Sequence, residues 1–206
     1  MAVERGFDYV VIGGGSAGCV VASRLTENAG IVALLEAGPS SGPATMSSAN
    51  NLDAMQLLGS PVDWAFTTTP QTALGGAVLG CPRGKVLGGS SSINGLVHVR
   101  GHASSYDAWE RKGATGWNYQ TMLPYLKRSE HTRGRDPSVR GTAGPMRLEE
   151  PPAANPLAQA CYWGAIEVDG SVMPSLVSAL PNATVLGIAE RAADLIGGSQ
   201  VVPRAS

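Results

Sequence analysis

An α/β chain with a parallel sheet and flanking helices is what this sequence predicts, on three observations. A short apolar, β-branched run from Phe7 to Ile12 leads straight into a glycine turn and a helical pattern. A second such run, Ile31 to Leu35, closely follows that helix. The 27 glycines and 14 prolines among 206 residues cluster between apolar runs, as expected of many tight turns rather than a helical bundle.

The first forty residues justify these elements in order. Phe7–Ile12 reads as a buried parallel strand, Cys19–Glu27 as a helix with apolar residues at 19, 20, 21, 22 and 25, and Ile31–Leu35 as a second buried strand ending in Glu36. Between the first strand and the helix stands Gly13-x-Gly15-x-x-Gly18. Gly13 permits the tight turn, Gly15 lets a pyrophosphate approach the backbone, and Gly18 lets the helix pack close to the sheet. The helix N-terminus offers N–H groups and the positive end of its dipole to phosphates. Glu36 stands where an acid accepts hydrogen bonds from ribose hydroxyls, and it disfavours a 2′-phosphate. The pattern points to a dinucleotide and does not by itself separate NAD from FAD.

Composition bounds the rest. A content of 43% hydrophobic and 15% charged residues supports a buried core. A net charge of −1 argues against nucleic acid as a partner. Cys19, Cys81 and Cys161 are odd in number and far apart, which argues against a disulfide framework and a structural zinc site and suits three reduced, buried thiols. No metal is expected. No apolar run approaches the ~20 residues of a membrane span, and the start of the chain lacks a signal-peptide pattern, so the expected location is cytoplasmic.

A second glycine cluster, Pro82 to Gly95, puts adjacent glycines before serines and Asn94. Its many backbone N–H groups and small side chains suit a flat or anionic ligand, although a Ser/Gly loop has the same composition. Together with it, "FDYVVIGGGSAGCVVASRL", "LLEAGP", "VDWAF", "PRGKVLGGSSSINGLVHVRGHASSYDAW", "GWNYQTMLPYLKRSE" and "GPMRLEEP" closely resemble the glucose–methanol–choline oxidoreductases. These are FAD enzymes that oxidise alcohols.

The resemblance implies a Rossmann-like FAD-binding domain with its substrate domain largely missing, and FAD as cofactor. It implies that Gly13, Gly15, Ser16, Ala17 and Gly18 hold the pyrophosphate and Glu36 the adenosine ribose. Leu87, Gly88, Gly89, Ser90, Asn94, Gly95, Leu96 and Val97 would run along the flavin, with Trp64 close to the cofactor. His98 stands where an aromatic residue is usual, and the family position for covalent flavin attachment matches Ile93, which cannot form that bond. His102 and His131 read as solvent-exposed, as does the Glu149-Glu150 pair before two prolines.

Along the chain the resemblance runs from about Phe7 to Ala160, so residues 1–160 are expected to form the front of the FAD-binding domain. It breaks at a junction, 161–167, and resumes at 168–198 as a strand (Val168–Met173) and a helix that return to that domain, before a tail at 199–206. A large internal deletion is the simplest account. In the last helix Asn182 is a candidate N-cap, the apolar residues 185, 186, 188, 189, 192, 193, 195 and 196 give one broad buried face, and Gly197 is the stop. The resemblance implies that a base takes the alcohol proton while hydride passes from carbon to flavin N5. Here the family's final active-site position matches Leu180, which can do neither acid nor base work, and Asn182 is the weaker candidate. The expected partner is a small-molecule alcohol if the chain is active, together with self-association through exposed apolar surface. A catalytically impaired FAD-binding remnant or interaction module is the alternative.

Overall fold

The apolar run Tyr9–Ile12 has the branched side chains that favour extended backbone, and it forms β1; Val32–Leu35 forms β2. The two pair in parallel, Tyr9 opposite Val32 and Ile12 opposite Leu35. A parallel pair needs a crossover, supplied by helix α1, Ser16–Asn28. These elements belong to a computed structural model that describes residues 6–28, 30–48, 51–149 and 182–197.

The described residues fall into two compact units, one up to Val99 and resuming at Asn182, the other from Arg100. In the first unit, helix α2 (Asn51–Met55) precedes a short antiparallel hairpin, β3 (Phe66–Thr67) with β4 (Gly80–Cys81). Leu57, Val62, Val86 and Ile93 form a buried cluster, packed on Met46. The second unit holds α3 (Ala103–Arg111), α4 (Tyr119–Ser129) and a short parallel pair, β5 (Glu130–His131) with β6 (Met146–Arg147). Its largest fully buried side chains are Tyr106, Met122, Leu126 and Glu130, the last paired with Arg100 and Arg140.

The last helix, α5 (Asn182–Gly197), returns to the first unit and packs along α1. Leu186, Ala189 and Ala193 are buried there, beside Ala22 and Leu25 of α1. The sequence expectation of one broad buried face is corrected at its end, because Leu195 and Ile196 are exposed. Glu190, a polar residue inside that face, is 1% exposed and accepts two hydrogen bonds from the Arg24 guanidinium, at 2.8 and 2.9 Å.

The expected burial of both strands is also corrected. Val10, Ile12 and Leu35 are 57%, 85% and 55% exposed. Among the described residues the sheet has only two strands, so faces that a wider, doubly covered sheet would bury stay open. Cys19 and Cys81 are free and half-buried rather than buried. His131 is half-buried in β5, and exposed His102 caps α3, its Nδ1 accepting from Ser104 N–H. No helix among the described residues is long and apolar enough to cross a membrane. The junction, the strand over Val168–Met173, Leu180, Cys161 and the tail lie outside the described residues.

A candidate cofactor cleft between two glycine segments

The turn after β1 depends on backbone that other residues resist. Gly13 has φ +95°, and its N–H continues the strand ladder to Leu35 O at 2.7 Å. At Gly18 a Cβ would stand 1.9 Å from Gly13 O, so the first turn of α1 can close onto the loop only with glycine there. Gly15 is different: an added Cβ would meet only Gly89 Cα, at 3.9 Å. That position is open on the side where a ligand phosphate would need to approach.

The second glycine segment lies directly against the first. Gly88 N–H donates to Gly14 O at 2.7 Å, and Gly15 and Gly88 form a parallel bridge. A Cβ on Gly89 would come within 2.7 Å of Gly15 Cα, and Gly89 itself has φ +57°. Two segments about seventy residues apart therefore meet backbone to backbone, a contact that requires glycine at position 89.

An open cleft of about 910 Å³ lies beside this junction. Of the sequence-predicted residues, Gly13, Gly15, Ser16, Ala17, Gly18, Glu36, Trp64, Gly89 and Ser90 line it. The first turn of α1 thus faces the cleft with the N–H groups that lack intrahelical acceptors. Leu87, Gly88, Asn94, Gly95, Leu96 and Val97 do not line it. Leu87 and Gly88 instead build the junction itself, Leu87 packing on Gly14. Leu96 has φ +58°, and its N–H donates to Asn94 Oδ1 at 2.9 Å. His98 is half-buried.

Glu36 has a task the motif does not reveal. Its Oε2 accepts from Gly14 N–H at 2.7 Å and its Oε1 from Gly38 N–H at 2.8 Å. The carboxylate therefore staples the glycine turn to the strand end while facing the cleft. Trp64 is half-exposed, stacks on Phe66 with centroids 5.7 Å apart, and carries Lys85 Nζ 4.7 Å above its ring.

Sequence reasoning missed Ala37 and Gly84 as cleft residues, and it missed Asp63 beside Trp64. Asp63 is 8% exposed. Burial alone would push its carboxyl up, but three backbone donors, Gly59, Ala65 and Arg83, outweigh that and hold it below the usual carboxylate value.

The chain is similar to known flavin enzymes and their relatives. The oxygen-dependent choline dehydrogenase of Vibrio vulnificus (strain YJ016) is 46% identical over 145 residues, 70% of this chain and 26% of that protein. The oxygen-dependent choline dehydrogenase of Staphylococcus saprophyticus is 40% identical over 179 residues, 84% of this chain and 32% of that protein. Pyridoxine 4-oxidase from Mesorbium loti superposes with a TM-score of 0.72 at 30% identity, over 79% of this chain and 32% of that one. An FAD-dependent oxidoreductase from Chaetomium thermophilum gives 0.71 at 29% identity, over 79% and 30%. These neighbours share the α/β fold, and the FAD expectation drawn from the resemblance agrees with them. The chain spans about a quarter to a third of the length of the curated relatives it matches. The family profile described as GMC oxidoreductase matches residues 7–174, more than half of the chain, and on that match the protein belongs to the GMC oxidoreductase family.

Proposed function

We propose that this chain forms the nucleotide-holding part of an FAD-dependent oxidoreductase that acts on CH–OH groups of small alcohols. The observation that carries the reading is the junction of the two glycine segments at one cleft, with Gly88 N–H on Gly14 O and an unobstructed Gly15. The residues present fit the cofactor. Gly15, Ser16, Ala17 and Gly18 would hold the pyrophosphate at the start of α1, where a cleft and N–H donors coincide. Glu36 would take the ribose hydroxyls while its backbone bonds keep it from swinging away. Trp64, Gly89 and Ser90 would wall the flavin side, with Leu87, Gly88, Asn94, Gly95, Leu96 and Val97 supporting that wall. Bound FAD supplies a hydride acceptor for an alcohol carbon.

The proton side is weaker. Leu180 carries no group that can accept a proton, and Asn182 begins α5. A missing general base costs a factor of about 10²–10⁴ in rate. That observation favours the second reading, an FAD-binding remnant without efficient alcohol oxidation. The two part under anaerobic mixing of the FAD-loaded chain with an alcohol panel that includes choline. Bleaching of the flavin spectrum by an alcohol supports the oxidoreductase reading. A spectrum that only dithionite bleaches supports the remnant, and a chain that takes up no FAD overturns both.

A further inference from the structure

Asp63 precedes the cleft residue Trp64, and two of the three bonds its carboxylate accepts come from backbone next to cleft residues, Ala65 after Trp64 and Arg83 before Gly84. Its Oδ1 accepts from Ala65 N–H at 3.0 Å and Arg83 N–H at 2.8 Å, and its Oδ2 from Gly59 N–H at 2.8 Å. Ala65 has φ +50°, a left-handed backbone that a residue with a Cβ adopts at a cost. Trp64, the cleft residue between them, is thus gripped on both flanks, and its own N–H donates to Arg83 O at 2.8 Å.

The second wall is tied to the same residue, by Arg83 N–H on the carboxylate and by backbone pairing. Asp63 bridges Gly84 in antiparallel fashion, and Lys85 N–H donates to Val62 O at 2.7 Å. Gly84 lines the cleft, and its N–H donates to Ser90 Oγ at 3.1 Å. A Cβ at Gly84 would lie 2.1 Å from Gly89 O, so Gly84 packs closely against the Gly89–Ser90 wall. Asp63 thus joins the two walls: its carboxylate holds Ala65 and Arg83 around Trp64, and its backbone pairs with Gly84, which contacts Ser90.

We infer that Asp63 is a positioning residue of the cofactor cleft, acting through Trp64 and the Gly84–Ser90 wall rather than by touching the ligand; this rests on the FAD reading above. An amide at 63 keeps the shape but turns an N–H toward one of the three donors, leaving that backbone group without an acceptor.

The test uses the full chain and two readouts. The first is the near-ultraviolet circular dichroism of Trp64 without cofactor, taken as the signal lost in Trp64→Phe. The second is FAD affinity by flavin fluorescence. Asp63→Asn is expected to alter the Trp64 signal and weaken FAD binding by about tenfold to a hundredfold. Its effect on affinity should be non-additive with that of Trp64→Phe, which a general loss of stability would not produce. Ala65→Gly, which takes the left-handed backbone without strain, should recover part of the affinity in the Asp63→Asn background, and it serves as the variant if Asp63→Asn alone does not fold. An unchanged Trp64 signal with unchanged affinity, or strictly additive effects, overturns the inference. If the wild-type chain binds no FAD while Asp63→Asn still shifts the Trp64 signal, the cofactor reading fails and the anchoring role stands.

Discussion

At the scale of single residues, the glycines of the first loop are not equivalent. Gly18 is demanded by the fold, since a Cβ there would stand inside the contact distance of Gly13 O. Gly15 is demanded only by what enters the cleft. Gly18→Ala is therefore expected to destabilise the chain, seen as a lower urea midpoint, whatever ligand is added. Asp63 adds a pH dependence. Its folded value is held below the ordinary one, so its contribution is complete above the unfolded carboxylate value, near 4, and is lost as pH falls through the lower folded value. Asp63→Asn should cost about 1–3 kcal/mol at pH 7. The gap between wild type and variant in urea unfolding should narrow as the pH drops below about 4. A gap that stays constant down to pH 3 would contradict the assignment.

At the scale of elements, α1 and α5 are held by a pair of charges 166 residues apart in the chain. Glu190 is buried at 1% exposure, and Arg24 meets both of its oxygens. Arg24→Ala would leave a buried carboxylate without its bidentate partner, a loss of about 3–5 kcal/mol. The double variant Arg24→Met with Glu190→Leu should recover much of it, because the surroundings, Leu186, Ala189 and Ala193, are apolar. Thermal unfolding of the three proteins checks the order: wild type and double variant close together, the single variant well below. The β1–α1–β2 unit was legible in the sequence because branched apolar runs, glycine spacing and helical periodicity are all local. The Arg24–Glu190 pair was not, because nothing near Arg24 announces a partner on the last helix. Asp63 escaped for the same reason: its donors include Arg83, twenty residues on, and a lone acid before a tryptophan reads as part of a motif.

At the scale of the molecule, Val10, Ile12 and Leu35 leave apolar surface open on a sheet that has two strands among the described residues. The sequence read these runs as buried, since a continuous apolar, β-branched run says what a strand prefers and not whether neighbours exist to cover it. Val10 and Ile12 lie on one face of β1, two residues apart. The isolated chain is expected to bind an apolar-sensing dye and to self-associate at micromolar concentration. Val10→Thr with Ile12→Thr should reduce both; a monodisperse, dye-silent wild-type monomer would contradict the picture. The residues that gather at the cleft, Gly15, Glu36, Trp64 and Ser90, were each readable from motif and resemblance. The backbone contact between Gly15 and Gly89 that brings them together was not, because it depends on how separate loops fold onto each other.

The central claim is that a flavin nucleotide occupies the cleft at Gly15. Titrating FAD into the full chain and into Gly15→Val, with flavin fluorescence as readout, tests it most directly. The structure leaves room for a Cβ at Gly15, so the variant should fold like the wild type by circular dichroism. The account predicts saturable quenching by the wild type and none by the folded variant. Equal quenching by both, or none by the wild type, would contradict it.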